Sequence, residues 1–305
     1  MLDHSARLAR IRQHGGMDAP RIGFTFPPTF PPEQLRPAAM AAEAAGLDEF
    51  WVWEDCFTQS GIASAAAVLG WTSRIRVAIG LLPVPLRNVG VAAMEIATLD
   101  RLFPGRFAAG IGHGVQDWMG QAGVRAQSPM TLLREYAVAL RRLLAGERVS
   151  MQGRYVHLDD VVLDWPPLQP MPLLIGGAGP KSLQLATQLG DGVILPGNHS
   201  YGETDELVGV IRTASAAAAP DITTTQIAST GPGARQRVEH EAAAWDKVAE
   251  AGIGVTGGPE EIAESIHELA GHGLSAVTVM PARGEPNLGR LIAVLGQARQ
   301  LVEAG

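Results

Sequence analysis

The chain has 305 residues, 46% hydrophobic and 18% charged, with 36 Gly, 21 Pro and a net charge of −7. That apolar share supports a large core and excludes a disordered chain, and the scatter of Gly and Pro excludes collagen. Only two lysines occur, Lys181 and Lys247, so no basic face can track a nucleic-acid backbone. The single cysteine, Cys56, excludes an internal disulfide, a Cys-rich metal site and a CxxC redox pair.

Residues 1–20 read as an N-terminal extension. Five charged side chains and two His interrupt them before the ~7–15-residue apolar stretch of a secretory signal can form. The longest apolar runs, such as Ile62 to Leu69, are shorter than the ~20 residues that span a bilayer. A cytoplasmic protein without membrane contact is expected, with residues 21–305 as one domain.

In chain order, RIGFTF (21–26) predicts a strand. Glu33 to Gly46 predicts an Ala-rich helix ending at a glycine suited to a left-handed cap. DEFWVW (48–53) is a strand, Ile62 to Trp71 a helix and Arg74 to Leu82 a strand. Asn88 is placed to cap a helix from Val89 to Leu102. Arg106 to Ile111 is the fourth strand, and Pro129 to Ala145 the next helix. The alternation of RVSMQGRYVHLDD (148–160) around Gln152-Gly153 predicts an inserted β-hairpin. The strands then continue as PLLIGG (172–177), DGVILPG (191–197), Ile222 to Ser229 and Ala276 to Met280. Helices are predicted from Lys181 to Leu189, Glu203 to Ala218, Ala234 to Ala251, Pro259 to His272 and Leu288 to Glu303. Eight strand–helix units without a linker predict a (β/α)8 TIM barrel with a small β-hairpin insertion after the fourth helix. A doubly wound sheet would need a G-x-G-x-x-G turn after the first strand, and FTFPPTFPP offers none.

Such barrels take their chemistry from the C-terminal ends of the strands. After the second strand come Glu54 and Asp55, adjacent carboxylates that can handle a proton if the surrounding aromatics raise a pKa. The structural alternative is that one caps the turn and the other pairs with an arginine. Cys56 reads as a small pocket-lining side chain rather than a nucleophile. Gly110-Ile111-Gly112-His113-Gly114 follows the fourth strand and makes His113 a third proton-handling candidate, against the alternative of a plain loop histidine. Gly176-Gly177-Ala178-Gly179-Pro180-Lys181 runs into a helix, where backbone N–H groups and a lysine favour a phosphate. This is neither a Walker A loop nor a G-x-S-x-G elbow. Gly80, followed by Leu81 and Leu82, marks a backbone irregularity where a ligand ring can rest. No His spacing supports a metal site.

Together these residues resemble a known family. Leu99-Asp100-Arg101-Leu102-Phe103-Pro104-Gly105-Arg106-Phe107 followed by Gly110-Ile111-Gly112-His113-Gly114 is similar to the signature of luciferase-like oxidoreductases. Pro172 to Lys181, continuing to Ala186 and Gly190-Asp191-Gly192, resembles that family's phosphate-binding strand and helix. Gly80-Leu81 lies where relatives using coenzyme F420, such as methylenetetrahydromethanopterin reductase, have a non-prolyl cis peptide behind the ring.

The resemblance implies an enzyme that transfers hydride between F420 and a small, partly apolar organic substrate. The phosphate would lie on Gly176, Gly177, Ala178, Gly179, Pro180 and Lys181. The ring would lie against Gly80, Leu81 and Leu82, beside Gly112, His113 and Gly114. Trp53, Phe57 and Trp118 would wall the pocket. Many relatives have a histidine where this chain has Cys56, so Glu54, Asp55 and His113 carry the proton-handling expectation. A reduced-FMN monooxygenase using oxygen is the alternative, followed by a cofactor-binding protein without turnover and, more distantly, an unrelated phosphosugar barrel. The resemblance also implies a homodimer through the helices after strands two and three.

Overall fold

The computed structural model describes residues 19–197, 199–215 and 220–304. The expected extension therefore falls almost wholly outside the described residues. The chain opens with β1 (Arg21–Phe26), α1 (Leu35–Ala44), β2 (Glu49–Val52) and α2 (Gly61–Trp71). It continues with β3 (Arg76–Pro83), α3 (Val89–Leu102), β4 (Phe107–Gly112), α4 (Gln116–Gln121) and α5 (Pro129–Leu144). After the hairpin strands β5 (Val149–Gln152) and β6 (His157–Val161) come β7 (Leu173–Gly176), α6 (Pro180–Leu189) and β8 (Gly192–Leu195). The last third holds α7 (Tyr201–Ala214), β9 (Asp221–Ser229), α8 (Ala234–Ala244) and β10 (Gly254–Thr256). It ends with α9 (Pro259–Gly271), β11 (Ala276–Pro281) and α10 (Leu288–Ala304).

Nine strands pair in the order β10-β9-β11-β1-β2-β3-β4-β7-β8, and a β9–β8 pairing closes the sheet. This is the (β/α)8 barrel that the alternation predicts, with β5 and β6 as the separate inserted hairpin. Three elements differ from the sequence reading. The short α4 and β10 are additional, and the helix expected to reach Ala251 stops at Ala244. The stop follows from Asp246, whose φ of 56° is left-handed, a conformation that the short Asp side chain tolerates. Of the helix expected to end at Ala218, the described part ends at Ala214, and residues 216–219 lie outside the described residues.

The chain divides into two compact units. One contains β1, β2, β9, β10 and β11. There β11 runs parallel between β1 and β9, with Phe24 opposite Val279 and Thr223 opposite Ala276. Its core includes Phe24, Phe26 and Phe50, all at most 2% exposed, with Phe50 5.9 Å from Phe24 and 6.5 Å from Phe26 between ring centres. Each buried phenylalanine contributes about 1.5–3 kcal/mol. The buried Glu49 of this unit is paired, since Arg21 and the Trp51 indole both donate to it, at 2.9 and 2.7 Å.

The other unit spans Val52–Ile194 and Ile211–Pro220 and carries every residue singled out for chemistry. Its strands β3, β4, β7 and β8 pair in parallel, and the β3–β4 register shifts between Ile79 and Leu82. Asn88 caps α3 as expected, accepting from the Gly90 N–H at 2.8 Å. Helix α5 buries Leu132, Leu133, Tyr136, Ala137, Leu140 and Leu143, the three-and-four spacing of a half-buried helix.

From the same helix Glu135 holds the hairpin, because its carboxylate accepts the N–H groups of Arg154, Tyr155 and Val156 at 2.8–3.1 Å. Burial works against its charge, but those N–H groups outweigh it and hold the carboxyl below the usual range. Such an anchor acts fully above the ordinary carboxylate pKa and is lost as pH falls through the lowered one. Glu135→Ala is expected to cost about 1–3 kcal/mol in urea unfolding at pH 7, and less at pH 3. An equal cost at both pH values would show that the carboxylate does not hold the hairpin.

Candidate active site

The site is built from the ends of β2, β3, β4 and β7. Beyond β2 the two neighbouring carboxylates have different environments. Glu54 is 8% exposed at its side chain and fully engaged. It forms a two-pronged ion pair with Arg87, one contact at 2.9 Å, and accepts the Gly61 N–H at 2.9 Å. Arg87 also donates to Glu95 at 3.0 Å. The Glu54 N–H donates to the carbonyl of Leu81 at 3.3 Å and so ties the end of β2 to that of β3. Both oxygens of Glu54 therefore have partners, Arg87 among them.

Asp55 is half-buried and lacks a cationic partner among the described residues. Its one side-chain hydrogen bond comes from the Trp53 indole N–H at 2.8 Å. Burial pushes its carboxyl above the ordinary range, and the indole bond offsets only part of that shift. A carboxyl of this kind can hold or release a proton nearer neutrality. Removing the indole donor with Trp53→Phe is expected to move any Asp55-dependent pH limb upward, read from the pH profile of kcat. A limb that moves down or stays put would exclude Asp55 as its source.

Burial, then the charges of Glu54 and Asp55, push the Cys56 thiol up, so it remains a thiol rather than a nucleophilic thiolate. Phe57 is 70% exposed, whereas Trp53 and Trp118 are half-buried. The peptides Cys56–Phe57 and Gly80–Leu81 are both cis, the second as the resemblance implies.

The Leu81 side chain explains two of the glycines. A Cβ on Gly112 would lie 2.6 Å from Leu81 Cδ2, and one on Gly176 would also meet that atom. Gly110 is similarly fixed by Ile194 and the Ile79 carbonyl, both 2.5 Å from where its Cβ would stand. These three positions are bare because protein atoms occupy the space beside them. His113 is half-exposed, and its Nδ1 lies 2.8 Å from the Gly114 carbonyl. A carbonyl can only accept, so Nδ1 carries the hydrogen and the neutral ring presents Nε2 as an acceptor.

At the head of α6 the Ser182 hydroxyl accepts the N–H groups of Ala178 and Gly179 at 3.2 and 3.1 Å. The Gly177 N–H is used by the sheet, donating to the Ile194 carbonyl. Gly179 has no atom within 4 Å of where a Cβ would stand, and Lys181 is exposed. Pro180 has no N–H, which leaves the Lys181 N–H as an early donor of this ten-residue helix. The Ser182 hydroxyl also donates to the Gly179 carbonyl at 2.9 Å, so it shapes the loop, while the open space, the lysine and the helix N-terminus suit a phosphate. Sequence reasoning missed Arg87, Leu81 as filler, and Ser182. Only Ser182 carried a local signal, as a hydroxyl three residues after the helix-entry glycine.

Among the described residues no three His, Cys, Asp or Glu side chains stand close enough to hold a metal ion. No described helix is long and apolar enough to cross a membrane.

Barrel, glycine-rich cradle and strand-end carboxyl belong to one class of fold, and the sequence comparison identifies it. Residues 7–304 match the family model described as luciferase-like monooxygenase, and the chain belongs to that family. It is 30% identical over 179 residues to 5,10-methylenetetrahydromethanopterin reductase of Methanolobus tindarius, covering 58% of this chain and 54% of that protein. It is 35% identical over 193 residues to F420-dependent glucose-6-phosphate dehydrogenase of Kineococcus radiotolerans, covering 57% and 56%. The chain thus matches about half the length of these curated relatives. An F420-dependent secondary alcohol dehydrogenase, solved with an F420-acetone adduct, superposes with a TM-score of 0.83 at 18% identity, covering 93% of this chain and 99% of that one. The oxygenating constituent of 3,6-diketocamphane monooxygenase of Pseudomonas putida, solved with FMN, gives 0.76 at 16% identity, covering 93% and 98%.

Proposed function

We propose that this protein is an F420-dependent oxidoreductase that moves hydride to or from a small, partly apolar organic substrate. The observation that carries the reading is the cradle at the head of α6, where Gly179 faces open space beside Lys181 and Ser182. Likeness to an F420-dependent glucose-6-phosphate dehydrogenase supports the deazaflavin over FMN.

When bound, the deazaflavin supplies the hydride acceptor or donor. Lys181 would hold its phosphate in the open space over Gly179, Ser182 would shape that loop through its bonds to Ala178 and Gly179, and Leu81 would back its ring. Asp55 takes the substrate proton in the oxidising direction and returns it in the reducing one. His113 Nε2 is the alternative acceptor for that proton. Glu54 acts through its contacts, fixing the end of β2 against Arg87, Gly61 and Leu81.

The second reading, an FMN-dependent monooxygenase, is favoured by the family description and the FMN-bound fold neighbour. Incubation with secondary alcohols and F420, and separately with reduced FMN and oxygen, separates the two. F420 reduction supports the first reading, and substrate-dependent oxygen uptake the second.

The finer placement of the protein belongs to the same proposal: a cytoplasmic homodimer, with residues 1–20 as an extension to a single catalytic domain. Support for the dimer comes from Val91 and Met94, exposed by 48% and 61% on α3. Gel filtration with light scattering checks it.

A further inference from the structure

A cavity of about 480 Å³ lies beyond β3, between the segment entering α3, the loop joining α4 to α5, and the hairpin. None of the residues expected to hold the cofactor lines it. Its lining has two characters. Val84, Leu86, Val124 and Leu132 provide an apolar wall. The rest of the lining includes hydrogen-bond donors from Arg87, Arg125, Tyr136 and Tyr155.

Tyr136 is only 3% exposed, and its hydroxyl makes no hydrogen bond among the described residues. The residue lines the cavity and its hydroxyl is not fully buried, so a polar partner in the cavity can reach it. Tyr155 accepts the Ser128 N–H at 2.7 Å, which leaves its own O–H free to donate. Arg125 uses Nε on the Gln116 carbonyl and Nη2 on Asp117, and its Nη1 has no acceptor among the described residues. Arg87 commits three of its five N–H groups to Glu54 and Glu95. Every charged or titratable nitrogen in the lining is basic, His157 included, and no Asp or Glu lines the cavity, although the chain carries a net charge of −7.

We propose that this cavity is a second binding site, separate from the cradle at α6, for a small carboxylate with an apolar body. The carboxylate takes hydrogen bonds from Tyr136, Tyr155 and Arg125, and the hydrocarbon lies on Val84, Leu86, Val124 and Leu132. Planar two-oxygen acceptors fit a guanidinium better than spherical anions do, and the apolar wall disfavours an inorganic ion. The proposal stands independently of the F420 reading.

Calorimetric titration of the full chain with octanoate tests it, with methyl octanoate as the uncharged control. One octanoate per chain is expected, bound at least tenfold more tightly than the ester. Tyr136→Phe, which preserves shape in the core, and Arg125→Gln, on the half-exposed rim, should each weaken octanoate at least fivefold. Gly179→Val, which obstructs the other site, should leave it unchanged. Absence of octanoate binding by the wild-type chain, affinity retained by both the Tyr136 and Arg125 variants, or loss of binding in Gly179→Val would each overturn the proposal.

Discussion

Asp55→Asn is expected to lower kcat by about 10²–10⁴-fold, the range that a positioned acid–base group supplies. The substitution keeps the shape of the side chain and an oxygen for the Trp53 indole N–H. Cofactor affinity and KM should therefore change little, which marks a group acting in the chemical step. The pH profile gives a second test. With the Asp55 carboxyl raised by burial, oxidation should gain rate as pH rises through its pKa, and reduction should lose rate over the same interval. Both limbs should vanish in the asparagine variant.

Stability should respond in the opposite sense. A carboxyl whose pKa is raised by folding is best tolerated when protonated and destabilises the fold as pH rises through that value. Asp55→Asn is therefore expected to leave the melting temperature at pH 7 unchanged or higher. A large loss of stability with activity retained would assign Asp55 a structural role instead.

The second large effect is on folding. Arg87→Met removes the cation from Glu54, whose side chain is 8% exposed, and leaves a buried carboxylate uncompensated. The expected cost is about 3–5 kcal/mol in urea unfolding at pH 7. Combining it with Glu54→Gln removes the stranded charge and should recover at least half of that loss, because Gln can still accept the Gly61 N–H. If the double variant is no more stable than Arg87→Met alone, the ion pair is not the source of the effect.

The architecture is legible in the sequence because the barrel repeats one local pattern. Apolar runs such as RIGFTF and PLLIGG alternate with capped helices, and the Asn88 cap, the left-handed Gly46 and the hairpin at Gln152-Gly153 each depend on neighbours in sequence. Strand β10 escapes such a reading because three residues carry no alternation. Glu54 and Arg87 lie 33 residues apart, so nothing local in the sequence shows their pairing.

The glycines illustrate a different limit. Their clustering in and just beyond the C-terminal halves of β3, β4 and β7 marks a crowded region, but at Gly110, Gly112 and Gly176 the crowding comes from Ile194, the Ile79 carbonyl and Leu81. Composition signals that a side chain is excluded, not what excludes it. Gly177, the natural choice for blocking a phosphate from sequence alone, has the Ser182 and Leu183 backbone about a Cβ contact away, at 3.0 and 3.1 Å. A side chain there would disturb α6 itself. Gly179 faces open space with φ at −108°, so a side chain there fills the cradle without straining the backbone.

The central claim is that this cradle holds a deazaflavin phosphate. Fluorescence titration of the wild-type chain and Gly179→Val with F420 and FMN side by side tests it most directly. The predicted result is at least tenfold preference of the wild type for F420, and at least tenfold weaker F420 binding by a Gly179→Val variant that melts like the wild type. Tighter binding of FMN, or F420 affinity untouched by Gly179→Val, would contradict it.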